Sequence, residues 1–512
     1  MIITLHEEGH QPDPKPRNTN NDIRLATVSE LLETAQEVVK QAIEGSKVLN
    51  VDIDAKLPKF NDREVVTGNI IGRGGFCIVR DLDKIRISGS AASRRGSFSS
   101  SKSGTVDPDR FAVGSSRGVF GLCFGRGQSV DDRSVSMKSM EMDCSYHSKA
   151  SGHSGGNKFD VSKYTREYVA MRSKKSRRTG ARYVLKSLNK GVDKITYMKG
   201  NVDIAMEAKF LASLDHPNII ELIAVSVSKP CTPGYFLILE KMTDTLTGRI
   251  KSWMDRERMC KSIFGRFSGG LRKELELYHE RIAASYDIAS GLFYLHNNGI
   301  VFRDLKPDNI GFDRHNRLKL FDFGLAKELK EEDRRGDDTY RNMTAMTGAI
   351  RYMAPEVGLG HPYNAACDVY SWSMVMWFIL ALEPPFGFFT ESMIASRVHK
   401  KGVRPSIFRR WSEVIGEMLR CAWDADLHQR PNFLEITLVL KQELTYSEQA
   451  SIKPGSTVMG SLGSTGSNTF NNILTFERAE PSKLDIDDDS VGPLSCSSTM
   501  RRPESRSVSR ND

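Results

Sequence analysis

Apolar positions along the chain change their spacing several times, and each change marks an element. Val28, Leu31, Leu32, Ala35, Val38, Val39, Ala42 and Ile43 recur at helical spacing behind a Thr27 and Glu30 pair that fits a capping box. This predicts an amphipathic helix over 27–48 whose apolar stripe must dock. Packing on the following domain is favoured over self-association. From about residue 62 the spacing becomes that of strands, with β-branched pairs in REVVTGNIIG and FCIVRDLDKIRI. Periodicity is lost over 89–180, resumes at ARYVLKSL and continues to about residue 448. The longest apolar stretch, 372–382, has eleven residues, where a membrane span needs about 20. It predicts a buried core helix and no membrane crossing.

The aperiodic parts have a composition to match. Residues 1–26 are polar and carry Pro, 89–180 are rich in Ser, Gly and Arg, and 449–512 are rich in Ser, Thr and Gly. Such segments bury too little apolar area to offset their ordering entropy, so all three are expected to be disordered. Lys and Arg number 73 against 64 Asp and Glu, a net +9, and the stretch 89–180 alone holds 17 against 8. The whole excess therefore lies in the expected loop, and the rest of the chain is near neutral. Arg94-Arg95-Gly96-Ser97 and Lys174-Lys175-Ser176-Arg177-Arg178 read first as solvated linker. An acidic partner or nuclear import is the rival reading of the second. Without interleaved aromatics, nucleic-acid binding is a minor hypothesis. The 41 Gly without period, 5 Trp and 24 Phe exclude collagen, coiled coil and a wholly disordered chain. The 8 Cys form no CxxC pair and no zinc spacing, which suits reduced thiols inside a cell, with the cytoplasm favoured over the nucleus. The short apolar run and early acids of MIITLHEEGH do not make a secretory signal.

The chemistry concentrates in residues 300–312, IVFRDLKPDNIGF. Phosphoryl transfer needs one tight loop carrying an acid to orient the attacking hydroxyl and accept its proton, a cation to offset charge on the moving group, and a metal-holding amide. Asp304, Lys306 and Asn309 supply them. Thirteen residues after Asn309 comes Asp322-Phe323-Gly324, an Asp on a Gly-adjacent turn suited to a hard cation. These motifs resemble the catalytic loop and DFG segment of the eukaryotic protein-kinase family. RYMAPE and CAW with a later Arg-Pro are closest in wording to its tyrosine-kinase-like branch.

The resemblance implies an α+β bilobal fold over 62–448, a small antiparallel-sheet lobe with one helix and a large, mainly helical lobe. It also implies ATP and Mg2+ as cofactors and protein substrates bearing Ser or Thr. Asp304, Lys306, Lys186 and Glu207 become the catalytic set, and Asn309 and Asp322 the metal ligands. Nucleotide contacts fall to Ile71, Gly72, Gly74, Gly75 and Val79 of the Gly-rich loop, to Val184 and Lys186, and to Glu240 and Met242 past the gating Leu239. Glu356 and Arg430 become a structural pair. Arg303 beside Thr339, Tyr340, Thr344 and Thr347 implies a loop that an activating kinase phosphorylates.

Four departures from the family pattern bear on this. Phe302 replaces a His, which keeps an apolar stack without the imidazole. Ala349 stands where a hydroxyl usually bonds the catalytic Asp and Lys. Val184 is larger and Gly311 smaller than the residues usually above and below adenine, which suggests a purine shifted toward the lower lobe. An insert separates the second and third strands. With Cys77 in place of the third Gly, these features keep two alternatives open: a pseudokinase or scaffold, and an adaptor whose basic insert binds acidic partners.

Overall fold

The computed structural model describes residues 27–49, 56–87, 161–263 and 269–452. Strand-forming sequence builds a six-stranded sheet in the order β1-β5-β6-β4-β3-β2, from β1 (Lys59–Phe60), β2 (Val65–Arg73), β3 (Cys77–Ile85), β4 (Tyr183–Leu188), β5 (Leu222–Ser226) and β6 (Phe236–Glu240). Only β1 and β5 pair in parallel; the other ladders are antiparallel. Alternation on β4 sends Tyr183 and Leu185 into a small core with Phe60, Leu82 and Ile238, and turns Val184 and Lys186 to the other face. Val79 and Leu237 flank Lys186 in register.

Helix α1 (Val28–Ile43) carries the Thr27 capping box, with Glu30 N donating to Thr27 Oγ1 and Thr27 N to Glu30 Oε2. It docks through Ala35 and Val39 onto Met198, Val202, Ala205 and Met206. Those residues lie on α3 (Lys194–Ser213), the helix after β4, whose N-terminus is capped by Asp193 at 3.0 Å from the amides of Ile195 and Thr196.

One expected boundary is corrected. Within 89–180, expected to lack order, residues 161–172 form a helix, α2 (Val161–Arg172), and 173–180 a tight turn. Val169 and Ala170 are buried against the sheet, the Arg166 guanidinium covers the Phe60 ring and pairs with Glu64 at 2.8 Å, and Ser173 Oγ accepts from Ile85 N at 2.8 Å. The apolar stripe is one turn long and completed by an Arg stem and a Ser, so flanking Ser and Arg mask it in the sequence. Seven Lys and Arg against one Glu fall in 161–180, so most of the insert's charge excess rides on this folded part. Residues 1–26 and most of the remaining insert and tail lie outside the described residues.

The large lobe contains α4 (Leu246–Lys261), α5 (Gly270–Asn297), α6 (Pro355–Leu359), α7 (Ala366–Ala381), α8 (Glu413–Ala422) and α9 (Phe433–Ile452). The last runs four residues past the expected boundary at 448. Two small sheets accompany these helices: β7 (Asp244–Thr245) with the hairpin β9 (Ile310–Phe312) and β10 (Leu318–Leu320), and β8 (Ile300–Val301) with β11 (Lys327–Glu328). Trp372, Met374, Val375, Met376 and Ile379 make α7 a core helix, and no helix among the described residues is long and apolar enough to cross a membrane.

Candidate active site

Strand pair β8–β11 and hairpin β9–β10 fix both ends of the loop 302–309. Its start is held from below. The fully buried Asp368 carboxylate accepts the amides of Phe302 and Arg303, both at 2.8 Å, and lies 3.0 Å from His296 Nε2. Arg303 consequently adopts φ 65°, a left-handed conformation that few non-Gly residues take. Next along, Asp304 Oδ2 accepts from Lys306 Nζ at 2.6 Å and Asn309 Nδ2 at 2.8 Å, while Oδ1 accepts from Ala349 N at 3.1 Å. Burial pushes the Asp304 carboxyl up, against the lowering pull of Lys306 and Asn309.

The second half of the site joins Lys186 and Glu207 of the small lobe to Asp322 of the large one. Lys186 Nζ lies 2.6 Å from Glu207 Oε2 on α3 and 2.9 Å from Asp322 Oδ1. Burial alone would lower the Lys186 ammonium, but the carboxylates of Glu207 and Asp322 outweigh it and hold it far above the usual range. Asp322, despite partial desolvation, is held below the usual carboxylate range by Lys186. Asp322 itself sits at φ 70°. The ring of Phe323 packs edge-on to Phe302, with centroids 5.1 Å apart at 74°, so the aromatic at 302 keeps an apolar stack beneath the DFG turn.

The Gly-rich turn is closed by Gly74 N donating to Cys77 O at 2.9 Å. Its tip residue Phe76 presses on α3: a Cβ at Gly200 would come 2.8 Å from the Phe76 Cβ, so only glycine permits this approach. Ile71, Gly72, Gly75 and Val79 lie along this β2–β3 hairpin, and nothing lies within 4 Å of a Cβ built on Gly75. Cys77 is buried and its thiol is pushed up to about 12, chiefly by desolvation, which makes it neutral filling. Val184 and Leu239 are buried neighbours in register. The Glu240 carboxylate is engaged by Lys319 at 2.9 Å and Glu221 N at 2.9 Å, so any role toward a base falls to backbone groups of Glu240 and Met242.

The space at Gly311 is already occupied by protein. A Cβ at Gly311 would meet Met242 Cγ at 2.9 Å, Asp244 O at 3.0 Å and Phe321 Cε1 at 3.1 Å. Met242 and Phe321 already fill the space of the absent side chain.

Two participants were not among the expected site residues. Asp203 stands one helical turn before Glu207 and against Gly324, with Cβ atoms 3.2 Å apart if Gly324 had one. Burial, then the neighbouring Asp322 charge, push its carboxyl up to about 7. The i, i+4 spacing to Glu207 is the signal that could have found it. The second is the Ala349 backbone, which no side-chain motif encodes.

Glu356 and Arg430 meet in the large lobe at 2.7 and 2.8 Å. Of the loop hydroxyls, Thr339 is buried, while Thr344 Oγ1 accepts from Arg303 Nη1 at 2.9 Å and bonds Thr347 Oγ1 at 2.8 Å.

Comparison with known proteins points one way. The family described as protein kinase domain matches residues 167–440. That span begins after most of the insert, so the Gly-rich hairpin is joined to it through the β3–β4 ladder. The chain is similar to three proteins of Arabidopsis thaliana. Serine/threonine-protein kinase STY17 is 31% identical over 242 residues, 47% of this chain and 37% of that protein. Serine/threonine-protein kinase VIK is 35% identical over 240 residues, 46% and 49%. Serine/threonine/tyrosine-protein kinase HT1 is 30% identical over 237 residues, 46% and 53%. The chain thus spans between about a third and a half of the length of these relatives.

Proposed function

The chain belongs to the protein kinase family, in its tyrosine-kinase-like branch, and from that premise we propose that it transfers the γ-phosphoryl group of ATP to Ser and Thr hydroxyls of protein substrates. The observation that carries this reading is the proximity of two clusters, Lys186 with Glu207 and Asp322, and Asp304 with Lys306 and Asn309, close enough that the Asp322 charge acts on Asp304 and the Lys306 charge on Asp322. Asp304 orients the acceptor hydroxyl and takes its proton, its raised pKa bringing it nearer to a useful base. Lys306 offsets charge on the moving group, and Lys186, steadied by Glu207, binds the nonreacting phosphates.

The donor set fits Mg2+. Asn309 uses Nδ2 toward Asp304 and Asp322 uses Oδ1 toward Lys186, which leaves the Asn309 amide oxygen and Asp322 Oδ2 as hard ligands. Mg2+ typically takes one or two carboxylates besides phosphates and water, and its contribution is to neutralise phosphate charge.

An activating kinase would act on Thr344, whose hydroxyl already meets Arg303. Lys327, which donates to the Asn342 carbonyl, is held below its usual range by burial and then by Arg303. A phosphate there would relieve that repulsion. The exposed turn at Lys174, Lys175, Arg177 and Arg178 is the surface we assign to an acidic partner, and an ATP-supplied cytoplasm is the expected compartment.

The test is transfer from radiolabelled ATP to a mixed Ser, Thr and Tyr peptide pool, with Asp322→Asn as the control. Label on Ser and Thr in wild type alone supports the reading. Nucleotide binding without transfer overturns it in favour of a pseudokinase.

A further inference from the structure

We propose that the backbone N–H of Ala349 is the positioning group for Asp304, doing the work of the hydroxyl this chain lacks at that position. The inference rests on the phosphotransfer reading above. Asp304 is a nearly buried carboxylate, and such a group must be surrounded by donors. Two of them, Lys306 and Asn309, crowd Oδ2 at 2.6 and 2.8 Å. On Oδ1 the donor is Ala349 N at 3.1 Å.

Gly348 makes that approach geometrically possible. Its φ is +95°, where L side chains are strained, and a Cβ there would overlap the Arg303 carbonyl oxygen and stand 3.4 Å from Asp304 Oδ1. The carbonyl faces Gly348 because Asp368 holds the Arg303 amide and forces the left-handed turn. The segment is also pinned on both sides. Upstream, Thr347 Oγ1 donates to Thr344 O at 2.9 Å, and Thr344 accepts from Arg303. Downstream, Tyr352 N donates to Ala349 O at 2.9 Å, and Arg351 Nη1 reaches Pro385 O and Phe386 O at 2.7 and 2.6 Å.

A backbone N–H differs from a hydroxyl in two ways. It carries no lone pair, so it cannot bridge Asp304 to Lys306, and the two bond directly instead. It also costs no side-chain entropy, because the chain path fixes it. The activation segment therefore orients the base through its main chain, and its register at Gly348 sets whether Asp304 is aimed.

Ala349→Pro removes the N–H. We expect kcat to fall roughly ten- to a hundredfold with the KM for ATP unchanged. Ala349→Ser, which keeps the N–H, should stay that far above the Pro variant, and Gly348→Ala should fall with the Pro variant. An Ala349→Pro protein with undiminished kcat overturns the proposal. Should that variant fail to fold, hydrogen exchange decides: the Ala349 amide exchanges slowly in the intact chain and at least tenfold faster in Asp304→Ala. Equal rates overturn the proposal as well. A wild type that transfers no phosphate while still showing Asp304-dependent protection would sink the kinase reading and leave the anchor standing.

Discussion

Two buried pairs of opposite charge hold this molecule, and they are finished to different degrees. Glu356 and Arg430 meet bidentately, and the guanidinium also donates to Asp424 O and Ala366 O, both at 3.0 Å. All of these groups belong to the large lobe. Lys186, by contrast, divides one ammonium between Glu207 from the small lobe and Asp322 from the large one, with Asp203 close by. The first pair is nearly complete: the charges are matched and four of the guanidinium's five N–H donors are placed. The second carries surplus negative charge from two lobes around a single cation, an arrangement that becomes neutral only when more positive charge arrives. A saturated pair stabilises a fold, whereas an unsaturated one stores affinity for a ligand.

The largest effect should come from breaking the finished pair. Glu356→Ala leaves the Arg430 guanidinium buried and uncompensated, which costs about 3–5 kcal/mol. Denaturant unfolding measures it, and a variant as stable as wild type would erase the distinction drawn here. Next in size, Lys186→Met takes the cation from Glu207 and Asp322 and should also cost stability, but less than Glu356→Ala, because the Asp322 carboxylate is half exposed and Glu207, its pKa raised by burial, can take up a proton. Phosphotransfer should nonetheless drop by about a hundred- to a thousandfold. A matched loss of stability and activity would mean that the cleft pair is structural after all.

These contrasts also explain what could be read from the sequence. The meeting of Asn309 with Asp304 and of Asp322 with Lys186 was legible, because the spacing expected for phosphoryl chemistry falls within single turns. Glu207 was legible because a helix and a neighbouring His-Pro-Asn fix its register to Lys186. The α1 helix was legible from its stripe and capping box. Illegible were the contributions that depend on tertiary neighbours. Asp203 gains its role only when Gly324 and Asp322 fold against α3. Met242 and Phe321 take the space of a side chain at Gly311 only because β7 lies against β9 there. Helix α2 completes its core with an Arg stem over Phe60, which no hydrophobic pattern registers. The Ala349 N–H belongs to no residue type at all.

Asp203 offers a titration of the unfinished pair. Its folded pKa of about 7 lies above the ordinary 3.8, so ionisation is harder in the fold than in the unfolded chain. Its contribution to stability is therefore most favourable below about pH 4, is lost as pH rises from there to about 7, and stays lost above. Asp203→Asn removes that dependence. At pH 8 the variant should be more stable by roughly 4 kcal/mol, and the gap should close by pH 4. A gap of equal size at both pH values would show that the carboxylate is not strained by its neighbours.

A third buried acid sharpens the comparison at the smallest scale. Glu328 on β11, six residues past Asp322, is held by neutral donors: Ser46 Oγ and, at 2.8 Å, Lys47 N. The same Ser46 Oγ accepts from Leu49 N at 2.6 Å and Val48 N at 3.2 Å, so one hydroxyl both turns the chain after α1 and ties it to the strand behind the DFG turn. Ser46→Ala removes one donor from a carboxylate that keeps another, and it unties the turn. The expected cost is about 1 kcal/mol, readable as a fall of a few degrees in Tm. Because α1 also rests on the helix that carries Glu207, the KM for ATP should separate two meanings of that loss. An unchanged KM assigns residues 44–49 to local packing, as with Glu356 and Arg430. A KM that rises in step with the lost stability would make the N-terminal segment part of the apparatus that keeps Glu207 facing Lys186, and the line between finished and unfinished pairs would then run through the attachments of the domain as well as through its cleft.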